Sequence, residues 1–172
     1  MIGVNRLYNE TDIVVAADGS GDYRTVQEAI NSIPADNSQW VNIAIRKGLY
    51  KEKLHIEKKF VRLVGEHAEQ TVLFYDDYAM KTFANGELYH TFNSYSVFVG
   101  GDDFIAEQLS FVNSAGRGDQ IGQAVAAYID GDRACFKLCR FIGYQDTLFN
   151  GPLPEFPVDR TTFGGPREGA KR

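Results

Sequence analysis

Ser96-Val97-Phe98-Val99, Gly100-Gly101-Asp102-Asp103, Phe104-Ile105, Leu109-Ser110-Phe111-Val112 and Ser114-Ala115-Gly116, met in this order, decide how the chain folds. A three- to six-residue apolar run is followed by a turn of Gly and Asp, then by another run. Runs this short and this apolar suit strands buried in a core, and the Gly/Asp clusters suit the turns between them. The same alternation extends outward on both sides. Val41–Ile45, Val61–Val64 and Thr71–Phe74 precede it, and Ala124–Ile129, Cys135–Phe136 and Cys139–Ile142 follow. A weak repetition at a few tens of residues, strand then turn, is the mark of a solenoid whose coils each contact only their neighbours. A β-sandwich is the competitor. It calls for cleaner polar/apolar alternation and for hairpin dipeptides between strands. The Asn-Gly pairs here, Asn85-Gly86 and Asn150-Gly151, fall outside such positions.

Upstream, Ile13–Ala17 reads as a short strand and Asp18-Gly19-Ser20-Gly21-Asp22 as a turn. Thr25 and Glu28 then match a capping box, Val26, Ala29, Ile30 and Ile33 recur at helical spacing, and Pro34 stops the helix. Its single apolar stripe has to cover something, and the end of a sheet stack is the natural partner. No second amphipathic helix is visible, which argues against alternating βαβ units. Residues 76–93 are polar and aromatic without a period and read as a loop protruding from one coil. The segment 153–172, rich in Pro and Gly, reads as an irregular tail. The expected fold is therefore all-β: a right-handed single-stranded parallel β-helix with an N-terminal capping helix.

Composition narrows the function. The 172 residues are 44% hydrophobic and 24% charged, an ordinary globular balance with room for one real core. Eighteen Lys and Arg against 23 Asp and Glu leave a net charge of −5, which disfavours nucleic acid and acidic membrane surfaces as partners. No run approaches transmembrane length and no secretory leader is visible, so the compartment stays open. Cys135 and Cys139 lie in an apolar run and are expected to be reduced core thiols. The Asp pairs at 102–103 and 130–132 read as solvated turn residues rather than a calcium loop, so no metal site is expected.

The polar stretch that stands out is Gly143-Tyr144-Gln145-Asp146-Thr147-Leu148-Phe149, with Gln123-Ala124-Val125-Ala126 before it. Amides and a carboxyl group set among apolar strands need partners. Burial would raise the carboxyl pKa towards a useful acid–base range.

Taken together these segments resemble the pectin methylesterases, the parallel β-helix enzymes that demethylate polygalacturonate. The resemblance runs over residues 13–152. It is carried by Val15–Tyr23 with Thr25–Ile30, by Gly48-Leu49-Tyr50-Lys51-Glu52-Lys53 and Phe111–Gly116, and by Gln123–Ala126 and Cys139–Leu148. It implies a carboxylic ester hydrolase acting on methyl-esterified pectin without metal or cofactor. Asp146 would be the general acid/base, with Gln123 and Gln145 the oxyanion-hole donors. Phe149, where the family usually has Tyr, would contact saccharide. Thr91 falls near a substrate-contacting Thr of the family, and a polar hairpin residue is its other reading. The family's nucleophile stands in an Asp-Phe-Ile-Phe-Gly strand and its arginine in a Leu-Gly-Arg-Pro-Trp segment. Neither segment occurs here, and Asp159 echoes the first only faintly. The chain is thus expected to hold half of the site, the alternative being an inactive fragment that at most binds saccharide. The resemblance also implies a family that is usually secreted. A solenoid with an uncapped end is expected to self-associate through it.

Overall fold

The computed structural model describes residues 13–151. Thirteen strands wind into a right-handed parallel β-helix whose three sheets are built one strand per coil. The first sheet joins β1 (Ile13–Val15), β2 (Val41–Ile45), β5 (Val61–Gly65), β8 (Phe104–Glu107) and β11 (Cys135–Lys137). The second stacks β3 (Gly48–Lys51), β6 (Thr71–Tyr75), β9 (Ser110–Asn113) and β12 (Arg140–Ile142). The third stacks β4 (Leu54–Ile56), β7 (Val97–Val99), β10 (Ala127–Ile129) and β13 (Leu148–Asn150). Every one of these strand pairings is parallel.

Register turns this geometry into a core. Residues directly paired across coils share a face, so Ile43, Leu63, Ala106 and Phe136 stack in one row of the first sheet. Tyr50, Leu73, Phe111 and Phe141 stack in one row of the second. These rows, with Leu54, Val97 and Ala127 from the third sheet, fill the interior. Phe111 and Phe141 lie stacked at 5.4 Å, a contact that only an in-line register allows.

Turns between sheets repeat as well. Phe60, Asp103 and Arg133 each take a left-handed backbone just before a strand of the first sheet, and Gln108 and Leu138 do so just before the second. Gly101 and Gly131 occupy one turn on successive coils. A Cβ at Gly101 would strike the Lys58 carbonyl, and one at Gly131 the Gly101 carbonyl, so coil spacing demands glycine there.

Helix α1 (Val26–Asn31) caps the first coil with both halves of the Thr25–Glu28 capping box formed, and buries Val26, Ala29 and Ile30. It ends at Ser32 rather than Pro34, although Ile33 is still buried. Its first amides, Val26 N and Gln27 N, donate to the Glu52 carboxylate at 3.0 and 2.9 Å. Trp40 packs edge-on against Phe60 at 5.8 Å, bridging the entries to β2 and β5. Among the described residues no helix is long and apolar enough to cross a membrane.

Three expectations are corrected. Strands β3, β4 and β13 lie outside the apolar runs, and the first strand stops at Val15. The 76–93 loop has order of its own: a bridge between Thr82 and Leu88 and the single turn α2 (His90–Asn93). Cys135 is exposed and Cys139 half-buried, because Cys135 points outward from β11 while Phe136 takes the inward place.

Candidate active site

The outer face of the third sheet and the turn leading into it carry the candidate residues. A single turn, α3 (Gly118–Ile121), ends at Gly122, whose φ of 76° redirects the chain into Gln123. Gln123 is half-buried, and its carbonyl accepts Ala79 N at 2.8 Å from the 76–93 excursion. One coil further on, Gly143–Thr147 forms the turn from β12 to β13. The two segments are bonded directly: Ala124 N donates to Gln145 O at 3.1 Å, and Ala126 N to Thr147 O at 2.8 Å. The Gln145 side chain lies against Gly118, where any Cβ would collide with its Oε1. Asp146 follows with φ 58°, a left-handed conformation that Asp tolerates better than most residues. Gln145 and Asp146 are both exposed. The burial expected for them is absent: the turn belongs to the last described coil, where Ile142, Tyr144 and Leu148 beside them are exposed as well.

Thr91 and Phe92 sit on α2 beside this turn. Phe92 meets Phe149 edge-on at 5.1 Å, Phe149 meets Tyr128 at 4.9 Å, and Tyr128 meets Phe98 at 5.0 Å. The row continues to His55, stacked on Phe98 at 4.7 Å. Tyr128 is nearly enclosed, and burial above all pushes its hydroxyl pKa well above the usual tyrosine value. Phe149 therefore does more than line a surface: with Tyr128 it seats α2, and Thr91 belongs to that turn rather than to a hairpin.

The residue that holds these pieces together was not among the sequence candidates. Asn113, 3% exposed at the end of β9, donates from Nδ2 to the carbonyls of Asp77 (2.9 Å), Ser94 (2.9 Å) and Val125 (3.1 Å). Its Oδ1 accepts Ala115 N. Ser94 adds a second tie, its Oγ donating to Thr91 O at 2.6 Å and accepting Val125 N at 3.2 Å. One side chain thus joins the excursion, α2 and the Gln123 segment. Parity could have found it, since Phe111 faces inward and a polar residue two places on must face inward too.

Asp130, after β10, also departs from expectation. Its Oδ1 is buried without a hydrogen-bond partner, and that burial raises its pKa. Asp102 and Asp103 are ion-paired with Lys59 and Arg133 rather than simply solvated. Among the described residues no group of three or more His, Cys, Asp or Glu converges as a metal site. Asp159 lies outside the described residues.

A three-sheet parallel β-helix with amides and a carboxyl group on adjacent coils defines a class, and comparison with characterised proteins supplies the family. The Pectinesterase family model matches residues 12–164, and the chain belongs to that family. Pectinesterase 31 of Arabidopsis thaliana is 41% identical over 145 residues, which cover 78% of this chain and 44% of that protein. Pectin methylesterase PemA from Erwinia chrysanthemi superposes with a TM-score of 0.74 at 30% identity, over 83% of this chain and 46% of that one. A pectin methylesterase solved in complex with a hexasaccharide gives 0.73 at 31% identity, over 83% and 46%. The chain spans less than half the length of each of these relatives.

Proposed function

We propose that this chain carries the acid/base and oxyanion part of a site that demethylates methyl-esterified polygalacturonate. The observation that carries the reading is the bond from Ala124 N to Gln145 O, which sets Gln123 on one coil beside Gln145 and Asp146 on the next. Family membership supports the substrate, as does the relative solved with a hexasaccharide. In this reading the Gln123 and Gln145 amides donate to the ester carbonyl oxygen as it becomes negative. Asp146 protonates the departing methoxide oxygen, which leaves as methanol, and, as carboxylate, then takes a proton from the water that hydrolyses the acyl intermediate. The attacking carboxylate would come from the family's second catalytic segment.

The test is methanol release from methylated pectin. Any turnover by the 172-residue chain should fall by at least about a hundredfold in Asp146→Asn, the usual worth of a positioned acid/base. Unchanged turnover would sink the assignment. A second reading is a saccharide-binding solenoid without turnover, which the relative solved with a hexasaccharide also fits. It predicts oligogalacturonide binding with no methanol release. The exposed Leu138, Ile142, Tyr144 and Leu148 of the last described coil also support self-association, which sedimentation against concentration would detect.

A further inference from the structure

The 76–93 excursion carries a charged cluster that the acid/base reading does not use. The Asp77 side chain, 3% exposed, lies between two ammonium groups, with Lys53 Nζ 2.5 Å from Oδ2 and Lys81 Nζ 2.5 Å from Oδ1. Lys53 is fully engaged. It also donates to Asn93 O at 2.6 Å and lies over the rings of Tyr95 (4.6 Å) and Tyr89 (5.1 Å). Lys81 is not. Among the described residues its one hydrogen bond goes to Asp77, leaving two N–H donors, and its side chain is 38% exposed. The bond to Asp77 is the main reason its pKa is held above the ordinary lysine value. Lys51 pairs with Asp76 alongside, so three lysines face two aspartates and one positive charge is left over. That local excess stands on a chain whose net charge is −5.

An aromatic plate adjoins the spare ammonium. Phe83 and Tyr89 stack at 4.0 Å, Phe83 is 40% exposed, and Lys81 Nζ sits 5.1 Å from the Tyr89 centroid. A uronic acid unit offers the matching pair of features: a C–H ring face for an aromatic surface and a carboxylate for a charged donor. The cluster is next to the candidate site. Ala79 N bonds to Gln123 O at 2.8 Å, Met80 N to Ile121 O at 3.3 Å, and Tyr89 N closes back on Lys81 O at 2.7 Å.

We propose that Lys81, backed by Asp77 and flanked by Phe83 and Tyr89, binds the carboxylate of a de-esterified galacturonosyl unit beside the ester held at Gln123, Gln145 and Asp146. The inference rests on the pectin reading above. Calorimetric titration of the 172-residue chain with a galacturonate hexasaccharide and with its fully methyl-esterified counterpart separates the two. Lys81→Met should weaken binding of the acid about tenfold, the loss of one charge-assisted bond, and leave the ester unchanged. Lys81→Arg should retain most of the affinity for the acid, and added salt should weaken binding of the acid more in the wild type and Lys81→Arg than in Lys81→Met. Equal affinity of Lys81→Met and wild type for the acid overturns the subsite, as does equal loss of both oligosaccharides. A wild-type chain that binds neither overturns the pectin reading itself, and the subsite with it.

Discussion

Asn113 concentrates more of the site's architecture than any residue named for chemistry. Replacing it by Ala strips the carbonyls of Asp77, Ser94 and Val125 of a buried donor at once. At about 1–3 kcal/mol for each buried group left unpaired, and with partial relaxation, the expected loss is roughly 2–4 kcal/mol in denaturant unfolding. Asn113→Asp should cost more, since it turns a carboxylate oxygen, itself an acceptor, towards three carbonyl acceptors. Asp130 runs the other way. Burial raises its carboxyl pKa, so the folded state holds the proton more tightly than the unfolded one. Stability should therefore fall as pH rises from the ordinary Asp value of about 3.9 through the raised folded value. Asp130→Asn should remove that slope and stabilise the protein at neutral pH relative to acid, which thermal melts at pH 4 and pH 7 would reveal. Residue chemistry was only partly legible. Gln123, Gln145 and Asp146 stand out because polar groups interrupt apolar runs. Asn113 hides because it ends such a run, and Lys81 because Lys53, which shares the nearby Asp77 carboxylate with it, is distant in sequence.

Among the elements, strands with apolar residues on both faces, such as β2 and β9, can be read directly from the chain. Strands β3 and β4 cannot. Leu49, Lys51 and His55 point outward, and only Tyr50, Leu54 and Ile56 are buried, so the apolar run never reaches readable length. What makes them strands is pairing with β6 and β7, a long-range fact. Helix α1 is legible because its signal is local. Thr25→Ala removes the side-chain acceptor for Glu28 N and should cost about 0.5–2 kcal/mol. The loss should appear as lower protection of the Glu28 amide in hydrogen exchange. Glu52, which serves the first two amides of the same helix from the next strand turn, could not be found from helix rules, because its partner lies 26 residues away.

At the scale of the whole molecule, one flank is tied by charge. Asp132 N donates to Asp102, and this, aided by Lys59, lowers the Asp102 pKa; the Arg133 guanidinium lowers that of Asp103. Both carboxylates are held below their ordinary range, so the stability they contribute is present above about pH 4 and is lost as pH falls through their lower folded values. Thermal melts between pH 2 and pH 5 should show the decline, and Arg133→Gln should flatten it. The stacking register also decides what a spectroscopist would observe. Trp40 is the one tryptophan, and it touches Phe60 where the first two coils meet. Fluorescence is thus a local gauge of one end, whereas circular dichroism averages over every coil. If the coils part in sequence, the two signals will trace different curves. The gap between them would then measure how far cooperativity travels along the axis.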